Sequence, residues 1–401
     1  MSSRTTNVEP ELLPLDTSDI DERLGKPIGG MQLREPVTAA DIRAWAQAMH
    51  NPNRLHIDRA FAEESTLGGL YGAQSFITAC DYDHGALPAS QGAVPGSHKL
   101  WGGSEWFFYG PRVAPGDAIR WDRMPFDYRV KQTRFAGPTL FQRGDDTAVN
   151  DRGEIVAKVR TTTVRYLVEN VRRMSAGAGG PVERATPRLD DTQREQIQRD
   201  KLDYYRTFHG HVHRTLADVQ EGERLPTGVI GPHSIATLAT EWRAYLAHRG
   251  WGSTVADLSH SSQGVDAGSV SAMAIDHSDA ELDPAQLDIV YNGPARGHLD
   301  EHYARLVGMP RPYGFGASQS AWIIDYAANW AGEDGFVVWS SYTSRSPVLV
   351  GDATYLRGTV TAVTREPEHD VGYAEISVEL LARPGDVSLG IGKARVRLPL
   401  T

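Results

Sequence analysis

His56-Ile57-Asp58-Arg59-Ala60-Phe61-Ala62, followed by Tyr71-Gly72-Ala73-Gln74-Ser75, is answered later by His298-Leu299-Asp300-Glu301-His302-Tyr303-Ala304 and Tyr313-Gly314, with Gln319-Ser320 a little beyond. The same interval separates His56 from Tyr71 and His298 from Tyr313. Such an echo governs the rest of the reading, because it means one supersecondary unit is built twice. It extends upstream, where segment 36–45 is matched by 232–242, with Thr38 and Ser234 placed as helix N-caps before short amphipathic stretches. It also extends downstream, where Pro115-Gly116-Asp117 and Val350-Gly351-Asp352 each lead into alternating, strand-like sequence.

Each half therefore reads as helices first and long antiparallel strands after, an order that points to an α+β fold rather than a parallel doubly wound sheet. The expected strands are 118–128, 139–150 and 155–166 in the first half, and 335–342, 353–364, 372–381 and 393–398 in the second. That order fits a sheet wrapped around a central helix. A Gly-rich break at 175–181 and a polar helical stretch at 190–208 set the boundary. The reading gives a first domain over 1–174, a linker over 175–208 and a second domain over 209–401. The second half also holds an insertion near 251–287, rich in Ser, Gly, Asp and His and large enough to shape a substrate entrance.

A chain of 401 residues is long for one core, which agrees with two domains. The formal charge of -10, with no basic or interleaved aromatic stripe, argues against nucleic acid as a partner. The N-terminal segment lacks the basic start and apolar core of a secretory signal, and no apolar run approaches the roughly 20 residues of a membrane span. A cytoplasmic protein without membrane contact is expected. Cys80 is the sole cysteine, so neither an intramolecular disulfide nor a cysteine-ligated metal is expected. The clustered histidines His209, His211 and His213 lack a carboxylate or cysteine at ligand spacing and read as a polar loop, so no metal is expected. Nucleophile elbows, P-loops and a Rossmann fingerprint are not evident, and no cofactor is expected.

The segment Asn51-Pro52-Asn53-Arg54-Leu55-His56-Ile57-Asp58 resembles the hydratase motif of the MaoC-like acyl dehydratase family, written Asp-x-Asn-Pro-x-His-x-Asp. The resemblance continues through 69–76, through Gly102-Gly103-Ser104-Glu105-Trp106-Phe107-Phe108 and through Phe135-Ala136-Gly137-Pro138, and covers most of both halves. It implies a double hot-dog fold, an activity like that of R-specific enoyl-CoA hydratases, and an acyl-CoA or carrier-bound thioester as partner. A monomer, or a homo-oligomer built through hot-dog sheets, fits two such units in one chain.

The chemistry needs a group to move a proton at the alkene and donors for the oxyanion that develops on the thioester. The resemblance assigns the first role to His56 and places Asn51, at the motif's aspartate position, with Asn53 around the water. An amide is no general acid or base near neutral pH, so Asn51 is a departure. Gly72 is the candidate near the thioester oxygen, and Trp106 is a candidate lining the acyl tunnel or packing in the core. His298, with Gly314 or Gly316, forms a second candidate site, where Gly293 holds the aspartate position. The surroundings favour catalysis at His56 and a structural role at His298. Asp58 and Asp300 read as helix N-caps. Two other functions stay open: a non-catalytic thioester-binding or assembly partner, and a hot-dog thioesterase.

Overall fold

The computed structural model describes residues 11–33, 35–81, 86–177, 189–246 and 294–401. The insertion expected near 251–287, Gly293, and positions 178–181 of the Gly-rich break lie outside the described residues.

Among the described residues, ten antiparallel strands make one sheet: β1 (Ile28–Gln32), β2 (Ser97–Phe108), β3 (Ile119–Thr133), β4 (Gly137–Asn150), β5 (Ile155–Leu167), β6 (Gly228–Ile230), β7 (Phe336–Ser344), β8 (Ala353–Glu366), β9 (Val371–Arg383) and β10 (Val387–Pro399). Their order is β1-β3-β4-β5-β2-β7-β10-β9-β8-β6. Outward from the centre, β2, β5, β4, β3, β1 on one side are mirrored by β7, β10, β9, β8, β6 on the other. The repeat seen in the chain is thus a repeat in space, joined where β2 pairs with β7 from Gly103↔Thr343 to Phe107↔Trp339. That seam needs a glycine: Gly103 has φ +149°, and a Cβ there would run into the Tyr342 carbonyl oxygen.

Alternation decides the strands. In β9, Ala374, Ile376, Val378 and Leu380 are buried, while Glu375, Ser377 and Glu379 face outward. All seven expected strands are present, each somewhat longer than expected. Three were not anticipated: the short edges β1 and β6, and β2, whose period is broken by a bulge between Trp101 and Gly103 and hidden by its aromatic run.

Among the described residues the helices are α1 (Ser18–Asp21), α2 (Ala39–Ala48), α3 (Arg59–Glu64), α4 (Val168–Gly177), α5 (Asp191–Arg206), α6 (Ile235–Ala244), α7 (Glu301–Leu306) and α8 (Gly316–Ala331). Thr38 closes a capping box with Asp41 at α2, and Ser234 does so with Thr237 at α6. Asp58 and Asp300 cap α3 and α7 through bonds from Phe61 N and from His302 N and Tyr303 N. Among the described residues, no helix is long and apolar enough to cross a membrane.

The two halves differ at their centres. In the second half, α8 is buried on nearly every side and packs on β2, β7 and β10. In the first half, the corresponding segment is a 3-10 turn over Gln74–Cys80. Asp81, its C-cap, is extended and ion-paired with Arg123, and the Cys80 carbonyl accepts Trp121 Nε1 at 2.9 Å.

Candidate active site

The first-half motif folds into a 3-10 turn, Arg54–His56, capped by Asn53, whose Oδ1 accepts Leu55 N at 3.0 Å. Asn53 Nδ2 donates to Asn329 Oδ1 at 3.0 Å, and Asn329 Nδ2 returns a 3.0 Å bond to Asn51 Oδ1, which also accepts Asn53 N at 3.1 Å. The two asparagines assigned to water are therefore bonded to α8 of the other half. His56 is 5% exposed, and its Nδ1 lies 2.9 Å from the Tyr71 carbonyl. A carbonyl only accepts, so Nδ1 carries the proton and Nε2 the lone pair. Burial, with the charge of Arg112 adding to it, holds the imidazole down at about 4, so it is neutral at pH 7.

Two backbone donors beyond His56, Gly72 N and Ser75 N, are occupied. Gly72 N gives its hydrogen to the Val113 carbonyl at 2.8 Å. The Gln74 side-chain amide brackets Val337, its Nε2 donating to the Val337 carbonyl at 3.0 Å and its Oε1 accepting the Val337 N–H at 2.8 Å. Ser75 N donates to Asp325 Oδ1 at 3.2 Å. Burial pushes the Asp325 carboxyl up to about 6, against bonds from Ser75 and Asn51 that favour its charged form. Trp106 is fully buried and stacks on Phe108 with ring centres 5.8 Å apart, a core residue away from the motif.

The second half repeats the histidine and changes its surroundings. His298 ends the 3-10 turn Arg296–His298, with Nδ1 2.7 Å from the Tyr313 carbonyl, so the proton again sits on Nδ1. The ring lies between Tyr313 and Phe315, each centroid 4.4 Å away. Gly314 N, like Gly72 N, is taken by a strand-side carbonyl, that of Val348 at 2.8 Å. Of the second-half glycine candidates this leaves Gly316, the first residue of α8. There the backbone N–H groups of the first turn have no intrahelical acceptor and the helix dipole is positive. A Cβ at Gly316 would collide with Trp101, which crosses from β2 to cover the helix start.

A cleft of about 1030 Å³ opens at this point, lined by His298, Gly316, Ala317 and Gln319 of the second half and by Trp101 and Ser104 of the first. Lys99, Lys131, Arg345 and Lys393 also line it, a local basic cluster on an acidic protein. Glu105 is the one acid among the described lining residues, and it accepts Trp339 Nε1 at 3.0 Å. Sequence reading gave Trp101 and the basic rim no role and met Gln319 only as part of the repeat; only the Gly102-Gly103 pair hinted that β2 bends there.

The histidine cluster has partners that sequence spacing concealed. His211 Nδ1 bonds Glu333, and His213 Nδ1 bonds Asp334 at 2.9 Å. Among the described residues, no group of three or more His, Cys, Asp or Glu side chains suits a metal ion.

Residues 24–159 match the model of the FAS1-like dehydratase domain region, a span that includes His56 and not His298. None of the curated proteins matches the chain. Among solved structures, a MaoC-like dehydratase aligns over 95% of this chain and 100% of its own, at 16% identity and a TM-score of 0.60. A MaoC-domain protein from Chloroflexus aurantiacus J-10-fl aligns over 100% of both chains, at 14% identity and a TM-score of 0.55. A Mycobacterium tuberculosis protein described as having a double hot-dog fold aligns over 94% of this chain and 97% of its own, at 11% identity and a TM-score of 0.53. The chain is thus a double hot-dog protein similar to the MaoC-like dehydratases, with a FAS1-like dehydratase match in its first half.

Proposed function

We propose that the protein adds water to, or removes it from, an acyl thioester of the 2-enoyl/3-hydroxyacyl type, and that the chemistry runs at His298 rather than at His56. The observation that carries this reading is the contrast at the two helix starts. In the first half, Asp325 of the other half takes Ser75 N and the Gln74 side chain is bound to the Val337 backbone. In the second, Gly316 and Ala317 line a cleft together with a histidine whose Nε2 holds a lone pair.

One histidine suffices for a balanced reaction. In hydration, water lies against Nε2 and the β-carbon; as its oxygen bonds that carbon, its proton passes to Nε2 and charge moves to the thioester oxygen as an enolate. Amide donors at the start of α8 stabilise that oxygen. The imidazolium then returns the proton to the α-carbon, and the product leaves with neutral His298 restored. The Nδ1–H bond to the Tyr313 carbonyl suits both ring states. The basic rim complements the phosphates of coenzyme A or of a carrier's prosthetic arm.

Incubation with trans-2-enoyl-CoA thioesters in deuterium oxide tests the scheme. The expected product is a 3-hydroxyacyl thioester with one deuterium at the α-carbon, on the same face as the new hydroxyl. No hydration across a range of acyl lengths would refute the activity, and addition to opposite faces would refute the single histidine.

A further inference from the structure

The cleft holds a side-chain amide that the single-histidine reaction leaves unused. Gln319, on the first turns of α8, lines the cleft and is 2% exposed. Its Oε1 accepts the Tyr342 hydroxyl. The Tyr342 oxygen also lies 3.2 Å from the Leu389 carbonyl, which already accepts Arg345 N at 2.9 Å and Ser346 N at 3.1 Å. With both lone pairs of that carbonyl engaged, the single phenol proton goes to Gln319. The amide is thereby oriented, oxygen toward Tyr342 and nitrogen away from it. Nε2 has no acceptor among the described residues, so a buried amide of the cleft wall keeps its donors unspent.

The surroundings hold that amide in place. Tyr342, on β7, is itself buried, and a Cβ on Gly390 of β10 would collide with its ring, so a glycine makes the room in which the phenol stands. Next along α8, Ser320 Oγ meets Ser104 Oγ of β2 at 2.5 Å, which pins the first turns of the helix against the seam between the halves. The helix start has no side-chain cap, and Gly316 and Ala317 line the same cleft. Side chains of a helix lean toward its N-terminus, so an amide on the fourth residue reaches back over the turn whose N–H groups lack intrahelical acceptors. The glutamine that Gln319 echoes in the first half is spent: Gln74 has both Nε2 and Oε1 bonded to the Val337 backbone.

We propose that Gln319 is a further catalytic residue of this site: its Nε2–H donates, beside the N–H groups that open α8, to the thioester oxygen as charge gathers there, and Tyr342 is the positioning residue that fixes the amide. The inference rests on placing the reaction at the start of α8. A neutral amide moves no proton, so the proton cycle of His298 is unchanged. What Gln319 adds is a donor oriented before the substrate arrives, and such a donor acts most where the charge is largest, in the transition state.

Vibrational difference spectroscopy of butanoyl-CoA bound to the full chain, with a heavy carbon isotope at the carbonyl, reads the contact without turnover, because a saturated thioester cannot be hydrated. Binding to the native protein is expected to lower the carbonyl stretching frequency. Gln319→Met, which keeps the length of the side chain and removes its donors, is expected to reverse part of that shift. With a trans-2-enoyl-CoA as substrate, the same variant is expected to lower kcat by about 100- to 1000-fold and to leave KM within about threefold of native. Tyr342→Phe, which keeps the amide and removes its anchor, should lie between native and Gln319→Met in both readouts. The double variant removes both partners of the buried bond and orphans neither, so it should match Gln319→Met if the loss comes from the missing donor and not from a stranded hydroxyl. A carbonyl band and kcat unchanged in Gln319→Met, or a double variant restored to native kcat, would overturn the proposal. If the native protein hydrates no thioester while the band still moves back in Gln319→Met, the reaction assigned to the cleft falls and the donation by Gln319 stands.

Discussion

His56 and His298 occupy the same turn, hold the same carbonyl through Nδ1 and carry the lone pair on the same nitrogen, yet they stand in different environments. Around His56 the other half closes in: Asn329 joins both motif asparagines, Asp325 takes Ser75 N, and the Val337 backbone takes Gln74. Around His298 the long helix α8 begins at a cleft, and what approaches from the other half is the wall of an indole, Trp101. On the proposed reading, a motif copied twice becomes a support in one place and a site in the other. What differs is the set of groups that arrive from elsewhere in the chain.

The contrast can be broken at several points, with effects of decreasing size. Gly316→Val should do the most damage, because any Cβ there drives into Trp101. Overpacking of this kind costs about 1–3 kcal/mol, and the start of α8 should lose its shape with it. The expected result is a lower melting temperature together with nearly abolished hydration, whereas a variant that hydrates normally would detach α8 from the reaction. Asn329→Ala attacks the other side of the comparison. It strands the buried amides of Asn51 and Asn53, at a cost of about 1–3 kcal/mol by denaturant titration. Hydration should stay near native, and a large loss would show that the first-half turn takes part after all.

A pH experiment sharpens the energetics. Glu241 on α6 is fully buried beside Ser318 of α8, and burial raises its carboxyl from 4.5 to about 8. Between those values the unfolded chain is ionised while the native protein still holds the proton, so this group lowers stability as pH rises from 4.5 to 8. Glu241→Gln removes that slope, and its melting temperature relative to native should climb across the window. His50 and His56, both held at about 4 instead of 6.5, act with the opposite sign. Their contribution is complete above pH 6.5 and is lost as pH falls through 4. The smallest effects should be the most symmetric. Asp58→Ala and Asp300→Ala each remove an N-cap worth about 1 kcal/mol, and near-equal losses would confirm that the halves differ in their surroundings and not in how the turn is built.

Much of this architecture was legible in the chain because it rests on local rules. Strict alternation marks β9, capping residues mark α2 and α6, and the echo of His56 in His298 announces the duplication. The strand β2 was obscured where Gly102 and Gly103 interrupt the alternation at the seam. The site was less legible for a different physical reason. Its decisive contacts join residues far apart in sequence, such as Asn51 with Asn329 and Trp101 with Gly316, and no local pattern encodes them. Judged by sequence neighbours, His56 has the better motif. Judged by spatial neighbours, His298 has the cleft. Gly72 and Gly314 were candidates as N–H donors at a helix start, but both N–H groups close the turn onto a facing carbonyl, and the proposed reading moves the donor role to the helix start beyond.

The most direct test is a parallel measurement of kcat/KM for hydration of a trans-2-enoyl-CoA thioester by the native protein, His298→Ala and His56→Ala, with circular dichroism confirming that both variants fold. Loss of the acid/base group predicts a fall of about 100- to 10,000-fold in His298→Ala, with His56→Ala staying within about tenfold of native. The reverse pattern, activity lost with His56 and kept without His298, would contradict the account and return the chemistry to the first half.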